Sequence, residues 1–170
     1  MTSELKYVIF STHIGWIGIL ASAKGLLGTT LPQPSVQKTC QLLGKNVCNA
    51  TWSPQVFDNL VERLKVYLNG HKAIFPDEIE ILGVTSFQSE VWEKTRLIPY
   101  GETRSYLWVA NQIGRPKAVR AVGAALSRNP LPIIVPCHRV VASNGKLGGF
   151  SGGVEMKRYL IWLEATADIG

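Results

Sequence analysis

Cysteine is scarce in this chain, with three residues among 170, at positions 40, 48 and 137. Their number is odd and their spacing wide, which excludes a disulfide framework and is typical of a reducing compartment. Cys40 and Cys48, even taken together with His13 and His71, match no usual zinc spacing. We therefore expect neither a bound metal nor another cofactor.

Long hydrophobic runs are also missing. No stretch reaches the roughly 18 uncharged apolar residues that a membrane span needs, and residues 1–6 lack a signal-peptide pattern. We expect a monomeric protein without a membrane segment, located in the cytoplasm or, in a eukaryote, the nucleus. There is no internal repeat or low-complexity tract, and the length suits one large domain or two small ones.

Charge is unevenly distributed along the chain. The net charge is +6; residues 1–83 hold 7 basic and 6 acidic residues, whereas residues 84–170 hold 11 basic and 6 acidic residues. A basic C-terminal half favours a polyanionic partner such as nucleic acid, although many globular domains carry a similar surplus.

The first half of the chain predicts a small α/β domain, residues 1–83. Residues 7–10, 16–20 and 26–30 are short β-rich runs separated by hairpin signals. Residues 32–53 predict a loop with one short helix. Ser53 and Pro54 predict the start of a helix with an apolar stripe that Asn69 and Gly70 end, and residues 76–82 alternate like an edge strand or an extended connector.

The second half, residues 84–170, predicts a mostly helical domain. Thr85 and Gln88 have the spacing of a capping box. Residues 105–113 and 118–127 predict two short helices joined by a glycine-containing turn, the pattern of a helix-turn-helix. A last amphipathic helix is predicted from about Val154 to Ala165. The fold class is therefore α+β, a small antiparallel sheet with a helix followed by a helical domain.

Residues 133–141 carry the strongest chemical signal. An apolar run leads into Cys137 and His138, and a thiol becomes a good nucleophile as a thiolate, beside cationic groups or a proton acceptor. The next two residues, His138 and Arg139, could supply a proton acceptor and a cationic group. The alternative is a buried structural cysteine with a chance histidine neighbour.

Neighbouring side chains in a helix or strand do not face each other, so a base at His138 would need a water to reach the thiol. Such a histidine also needs an acceptor at its second nitrogen. Lys157 and Glu164, two turns apart on the last helix, share one face, and Glu164 is the candidate acceptor. The alternative is a solvent-facing pair at the edge of the apolar stripe.

The third helix of the second half is unusually bare, with small residues at positions 118, 121 and 123–125. Such a helix lets its backbone approach a partner closely, or simply packs tightly against another helix. Arg120 is its long side chain, near the end where recognition helices meet bases. With few base-reading side chains, DNA binding would rest on backbone contacts and have little sequence preference.

Two loops flank the thiol. Asn129, before Pro130, predicts a fixed turn between helix and nucleophile segment, since asparagine bonds readily to nearby backbone. The glycine-rich loop 148–153 is either a plain turn or a segment that closes over a ligand. Its spacing is not that of a nucleotide-binding loop.

Together these residues resemble the O6-alkylguanine-DNA alkyltransferases, also called methylated-DNA–protein-cysteine methyltransferases. The resemblance spans about residues 85–164 and rests on motifs at 98–102, 105–106, 120–123, 129–130, 136–140 and 148–153, with Lys157 and Glu164. The N-terminal 83 residues match the family in general build. The resemblance implies an RNase H-like first domain and a winged-helix-like helix-turn-helix in the second.

It also implies direct repair of duplex DNA. Cys137 would take the alkyl group from O6-alkylguanine, and from O4-alkylthymine, irreversibly and once per molecule, after the nucleotide leaves the base stack. Site roles follow from the same resemblance. The catalytic residues would be Cys137, His138, Glu164, Asn129, Tyr106 and Lys157. DNA contacts would come from Arg120, Ala121, Gly123, Ala118, Ser105, Thr103 and Arg128. The substrate pocket would be lined by Tyr106, Val135, Pro136, Gly149, Phe150 and Ser151, where Phe150 stands at a position that is often tyrosine in the family.

Three other functions remain open at this point. A damage sensor would flip lesions without transfer, but relatives of that kind lack the reactive cysteine. A helix-turn-helix regulator would need base-reading side chains. A Cys-His hydrolase would turn over many times.

Overall fold

The computed structural model describes residues 4–167. Residues 1–3, part of the segment without a signal pattern, and residues 168–170, the end of the predicted second domain, lie outside the described residues. The chain divides into two compact units, one of residues 1–69 and 73–82 and the other of residues 70–72 and 83–170. In the described part of the chain, no helix combines the length and the apolar character needed to cross a membrane.

The first unit is built on a four-stranded sheet in the order β3-β2-β1-β4. Strands β1 (Leu5–Thr12), β2 (Gly15–Ala21) and β3 (Leu26–Thr29) are successive antiparallel neighbours. The predicted β-rich runs and hairpins are thus confirmed. Strand β4 (Ala50–Trp52) pairs in parallel with β1, which makes the sheet mixed.

Strand β4 lies within residues 32–53, for which the pattern predicted a loop and a short helix. The helix is present as α1 (Val36–Leu43). A turn of 3-10 helix (Lys45–Asn49) follows it. The strand was missed because three residues carry no usable periodicity, and its pairing partner is more than forty residues away in sequence.

Helix α2 (Asp58–Leu68) contributes most of the apolar stripe predicted for it. Leu60, Leu64, Tyr67 and Leu68 are buried. The helix predicted to start at Ser53 and Pro54 begins there as a 3-10 turn, Pro54–Phe57, with Ser53 at its N-cap position, and continues into α2. The Ser53 hydroxyl donates to the carbonyl of Thr51 and does not cap the helix. Proline fits the first turn of either helix type, so its position alone does not distinguish them.

Residues 76–82 run beside β3 as an extended connector. Ile79 forms an isolated bridge with Leu26, flanked by hydrogen bonds from Leu26 N to the Glu78 carbonyl (2.9 Å) and from Glu80 N to the Leu26 carbonyl (2.8 Å). The connector therefore belongs to the first unit as far as Leu82.

As far as residue 167, the second unit contains four α-helices and a two-stranded parallel sheet. The helices are α3 (Ser86–Arg96), α4 (Tyr106–Gln112), α5 (Val119–Ser127) and α6 (Val154–Ala165). The strands are β5 (Arg104–Ser105) and β6 (Val140–Val141). All four helices lie where the sequence predicted them, and a turn through Gly114 (φ 72°) joins α4 to α5.

The core of this unit forms where α3 packs against α5. Val91 and Val122 are fully buried, and the indole of Trp92 donates to the carbonyl of Ala125 (3.0 Å). The small residues of α5 permit this close approach, so tight helix packing accounts for part of the bare character of α5. The same helix also presents Arg120 and Ala121 as exposed residues, and Arg128, directly after its end, is exposed too.

The capping box at the start of α3 is formed in both directions. Gln88 N donates to Thr85 Oγ1 (3.1 Å), and Thr85 N donates to Gln88 Oε1 (3.1 Å). We predict that Thr85→Ala lowers the free energy of unfolding by about 1 kcal/mol, because one backbone donor at the helix start loses its partner. Urea denaturation followed by circular dichroism measures this. Ser86→Ala, at the next exposed position, is the control; an equal loss in both variants would contradict the capping role.

Candidate active site

The segment between α5 and Cys137 is shaped by Asn129. Its Oδ1 accepts from Leu131 N (2.9 Å), and its Nδ2 donates to the Val135 carbonyl (2.9 Å) and to Cys137 Sγ (3.2 Å). Asn129 is 7 % exposed. One buried amide thus closes the turn and contacts the sulfur, so it orders the segment and polarises the thiol at the same time.

Ile133, inside this turn, has a left-handed backbone conformation with φ 74°. A β-branched residue rarely adopts this conformation, at a cost on the order of 1–3 kcal/mol. The side chain is 3 % exposed, and the backbone is closed by a hydrogen bond from Val135 N to the Leu131 carbonyl (2.8 Å). Burial, this hydrogen bond and those of Asn129 hold the strained turn that leads to Cys137.

Cys137 opens a single turn of 3-10 helix, Cys137–Arg139, which continues directly into β6. Strand β6 pairs with β5, and the residue after β5 is Tyr106, the first residue of α4. The parallel pairing therefore fixes the thiol segment and the start of α4 against each other within a few residues.

The Cys137 side chain is nearly buried, with 4 % of the residue exposed. Burial raises the pKa of the thiol, while the hydrogen bond from Asn129 and the charge of Lys157 lower it. Burial has the larger effect, so the pKa of the thiol lies above its ordinary value. A nucleophilic role therefore requires a proton acceptor nearby.

His138 lies in a buried cluster with Glu164. His138 Nε2 lies 2.5 Å from Glu164 Oε2, and the histidine is fully buried. Burial lowers the pKa of His138, against the opposing effect of the Glu164 carboxylate. The imidazole is therefore neutral at rest and able to accept a proton. Glu164 occupies the acceptor position that the sequence predicted for it, and the solvent-facing alternative for Lys157 and Glu164 is wrong.

Arg139 binds the other side of the same carboxylate. Its Nε donates to Glu164 Oε1 (2.8 Å), its Nη2 to Glu164 Oε2 (3.2 Å) and its Nη1 to the Ile98 carbonyl (2.8 Å). The backbone N of Gly101 also donates to Glu164 Oε1 (3.0 Å). Burial alone would raise the pKa of Glu164, but the hydrogen bonds from His138 and Arg139 and the charge of Arg139 outweigh it and lower the pKa to about 2.

The sequence suggested Arg139 as a cation that could activate the thiol, but the cation whose charge acts on Cys137 is Lys157. Lys157 is fully buried, and its Nζ donates to the Gly149 carbonyl (3.2 Å) and to Tyr106 Oη (3.4 Å). Burial lowers the pKa of Lys157 to about 8. Burial also raises the pKa of Tyr106, as does the negative charge of a Cys137 thiolate.

A cavity of about 540 Å³ opens beside the sulfur. It is lined by Tyr106, Val119, Gly123, Leu126, Ser127, Cys137, Gly148, Gly149, Phe150 and Ser151. Four of the six residues predicted for the pocket are on this wall. Val135 and Pro136 are buried and are not among its lining residues.

The cavity also uses residues of α5 that were not predicted to line it. Val119, Leu126 and Ser127 form part of its wall, and Gly123, assigned to DNA contact from the sequence, lines it too. The helical spacing of these residues could have indicated a shared face, but only the fold shows what that face borders. Gly148 leaves room for the Tyr106 ring, because a Cβ at position 148 would come within 2.9 Å of Tyr106 Cε2.

The residues predicted to contact DNA lie on and around α4 and α5. Thr103, Arg120, Ala121 and Arg128 are exposed, and Ala118 and Gly123 are partly exposed. Ser105 caps α4 by accepting from Trp108 N (2.9 Å). The exposed residues therefore lie on α5, which also lines the cavity, or close to the ends of α4 and α5.

Comparison with known proteins assigns the family. Residues 86–166 match the family described as 6-O-methylguanine DNA methyltransferase, DNA binding domain. A methylated-DNA–protein-cysteine methyltransferase of Methanosarcina acetivorans is 39 % identical over 162 residues, 95 % of this chain and 99 % of the relative. One from Mycobacterium bovis is 48 % identical over 123 residues, 69 % of this chain and 74 % of the relative. The chain belongs to the methylated-DNA–protein-cysteine methyltransferase family.

Solved structures superpose on nearly the whole of this chain. The O6-methylguanine methyltransferase of Mycobacterium tuberculosis superposes with a TM-score of 0.78 at 38 % identity, covering 96 % of this chain and 94 % of that chain. The same bacterium's protein in complex with DNA superposes with a TM-score of 0.80 at 37 % identity, covering 96 % of each chain. Both units of the present chain thus have counterparts in this fold.

The low pKa of Glu164 makes a prediction about stability and pH. The pKa of Glu164 in the folded protein, about 2, lies below the ordinary value of 4.5. The ionised carboxylate therefore stabilises the folded state fully above pH 4.5, and this contribution is lost as the pH falls toward 2. We predict that Glu164→Gln lowers the free energy of unfolding at pH 7 by about 3 kcal/mol, and that the difference from the parent protein narrows between pH 4.5 and 2.

Guanidinium denaturation at a series of pH values measures this difference. Glu155→Gln is the matched control, because Glu155 lies on the same helix in an exposed pair with Arg158. A difference that stays constant down to pH 2 would show that the carboxylate is not held ionised in the fold.

Proposed function

We propose that this protein repairs O6-alkylguanine in duplex DNA by transferring the alkyl group to Cys137. The observation that carries the proposal is a thiol on the wall of an open cavity, with Asn129 and Lys157 acting on its sulfur. In the reaction, Cys137 Sγ attacks the alkyl carbon, a carbon–sulfur bond forms and the carbon–O6 bond breaks. The electron pair of the broken bond remains on the guanine.

The thiol proton passes to His138 through a water molecule, since adjacent side chains do not face each other in this turn. Glu164 holds the imidazole and stabilises the imidazolium that forms, the part an acidic residue takes in a triad. Asn129 donates to the sulfur throughout and thereby favours the thiolate.

The leaving guanine must gain a proton. Tyr106 lies on the cavity wall with its hydroxyl near Lys157 Nζ. A lysine with a pKa of about 8 gives up its proton more readily than an exposed one. We assign to Tyr106 the delivery of a proton to the base and the turning of the adjacent phosphate, and to Lys157 the support of that hydroxyl.

DNA is the proposed partner, bound by α5 in the minor groove. The groove carries a degenerate hydrogen-bond pattern, which suits a protein that must search any sequence. Arg120 enters the space left by the extruded nucleotide. Ala118, Ala121 and Gly123 let the backbone approach, while Ser105, Thr103 and Arg128 contact phosphates.

The extruded base enters the cavity and lies against Phe150, whose ring stacks without offering a hydroxyl. Backbone groups of Gly149 and Ser151 hold its edge. The same arrangement admits O4-alkylthymine. Extrusion costs a few kcal/mol of unstacking, which is smallest for a poorly paired lesion.

We further propose that residues 84–170 form the DNA-binding and alkyl-transfer domain, of winged-helix-like build, and that residues 1–83 are RNase H-like. The protein acts as a monomer, in the cytoplasm or the nucleus. Because the product is a thioether, each molecule acts once. A Cys-His hydrolase would instead release product repeatedly, and a regulator would prefer one DNA sequence, so turnover and sequence preference separate the three functions.

The transfer reaction can be tested directly. We predict one methyl group, 14 Da, on each molecule after incubation with duplex DNA that contains O6-methylguanine, located on the Cys137 peptide by mass spectrometry. Cys137→Ser should abolish transfer and retain DNA affinity, and Cys48→Ser, at an exposed thiol outside the site, should transfer as the parent does. Labelling of the Cys137→Ser variant, or product beyond one equivalent, would refute the proposal.

Alkylation should also weaken the fold. The sulfur lies on the cavity wall and is held by a hydrogen bond from Asn129 Nδ2 (3.2 Å), so an added alkyl group that crowds Asn129 strains this contact at a cost of about 1–3 kcal/mol. We predict a lower Tm for the methylated protein than for the free protein in differential scanning calorimetry. Free protein carried through the same incubation with undamaged DNA is the control. A Tm that rises on methylation would contradict this expectation.

A further inference from the structure

Arg115 lies in the turn that joins α4 to α5 and has no part in the contacts proposed above. The turn is closed by backbone hydrogen bonds from Arg115 N to the Ala110 carbonyl (2.9 Å) and from Ala118 N to the Arg115 carbonyl (2.9 Å). Gly114, with φ 72°, permits the reversal just before it. The backbone that carries Arg115 is therefore fixed between the two helices.

The Arg115 side chain is exposed, and its guanidinium carbon lies 5.7 Å from the centre of the Phe87 ring. Phe87 is half-buried in the first turn of α3. A guanidinium within about 6 Å of an aromatic ring is attracted to the ring face, and its N–H groups can still donate to another partner. The ring thus restrains a long side chain without occupying its hydrogen-bond donors.

Arg115 also differs from most arginines of this chain in having no ion pair. Four arginines elsewhere each bind a carboxylate, namely Arg63, Arg104, Arg139 and Arg158. Within residues 4–167, Arg115, Arg120 and Arg128 bind none. Arg115 precedes α5 by four residues, Arg120 lies within it and Arg128 follows it directly. These three arginines therefore surround the helix proposed to bind DNA.

The length of α5 indicates what Arg115 can reach. Nine residues form a helix roughly 14 Å long, more than twice the roughly 6 Å width of the minor groove. A side chain beyond the end of such a helix lies outside the groove, beside the phosphates that border it. Arg115 and Arg128, at opposite ends of α5, are therefore placed for phosphates on either side of Arg120.

We infer that Arg115 is a phosphate-binding residue that holds the DNA backbone at the start of α5 and is positioned in advance by Phe87. A guanidinium offers two parallel N–H donors that match phosphate oxygens. Because Phe87 already restrains the side chain, less conformational entropy is lost on binding. The inference rests on the proposed function insofar as the partner is duplex DNA, but it concerns binding and not alkyl transfer.

The salt dependence of DNA binding tests the inference. Fluorescence anisotropy with an undamaged duplex gives the Kd at a series of salt concentrations, and each phosphate contact adds about 0.9 to the slope of log Kd against log salt. For Arg115→Gln we expect this slope to fall by about 0.9. A fourfold rise in salt then weakens binding roughly 3.5-fold less than in the parent protein. The loss should be equal for A·T-rich and G·C-rich duplexes, since phosphates carry no sequence information.

Arg158→Gln is the matched control, because it removes the same charge from an exposed arginine that pairs with Glu155 on α6. Its slope should equal the parent's, and Arg115→Lys, which retains the charge, should also keep the slope. An unchanged slope in Arg115→Gln would overturn the inference, as would an equal fall in Arg158→Gln or a loss confined to one duplex. Circular dichroism checks that each variant folds.

Methyl transfer separates this inference from the proposed function. With O6-methylguanine DNA, the DNA concentration that gives half the maximal transfer rate should rise in Arg115→Gln by a larger factor than the maximal rate falls. A lower maximal rate with an unchanged salt slope would indicate a structural arginine and overturn the inference. A parent protein that shows the Arg115-dependent slope yet takes no methyl group would refute the proposed repair and leave the phosphate contact in place.

Discussion

The buried carboxylate of Glu164 connects the parts of the second unit that matter for chemistry. It receives His138 and Arg139 from the thiol segment and the backbone N of Gly101 from the loop that leads to α4. A buried charge is tolerated only when its partners and hydrogen bonds are nearly complete, and removal of one partner leaves an uncompensated charge. Helix α6, thiol segment and loop are therefore fixed together by one side chain, and the site exists only when all three are in place.

Opposing effects act on the pKa of the Cys137 thiol. Burial favours the neutral thiol, while Asn129 and Lys157 favour the thiolate. The strained backbone at Ile133 belongs to the same arrangement, because it brings the Asn129 amide and the sulfur within 3.2 Å. Preorganised donors of this kind stabilise charge without moving during the reaction.

Helix α5 is rich in small residues on both its buried side and its exposed side. Toward the inside, Ala125 accepts a hydrogen bond from Trp92 and Leu126 lines the cavity. Toward the outside, Arg120 and Ala121 are exposed. A bulky helix could not pack against α3, border a cavity and offer its backbone to a partner at once. Close helix packing and close approach to DNA are thus compatible explanations of the same composition.

The sequence by itself determined the elements with strong local signals. The hairpin strands β1–β3, the capping box of α3 and the bounds of α6 follow from turn residues, side-chain caps and periodicity, which act over a few residues. The motif around Cys137 and His138 likewise indicated the family, which the comparisons show. Strand β4 and the 3-10 turn before α2 were beyond local patterns, since three or four residues carry little periodicity.

Only the tertiary structure decided which charged groups pair with each other. Arg139 and Glu164 are 25 residues apart, and nothing in their spacing shows that the arginine binds the carboxylate and leaves Lys157 to act on the thiol. The wall that α5 gives to the cavity has the same origin. Electrostatic coupling and cavity shape depend on distances through space, and those distances are set by packing between elements that the chain brings together only when it folds.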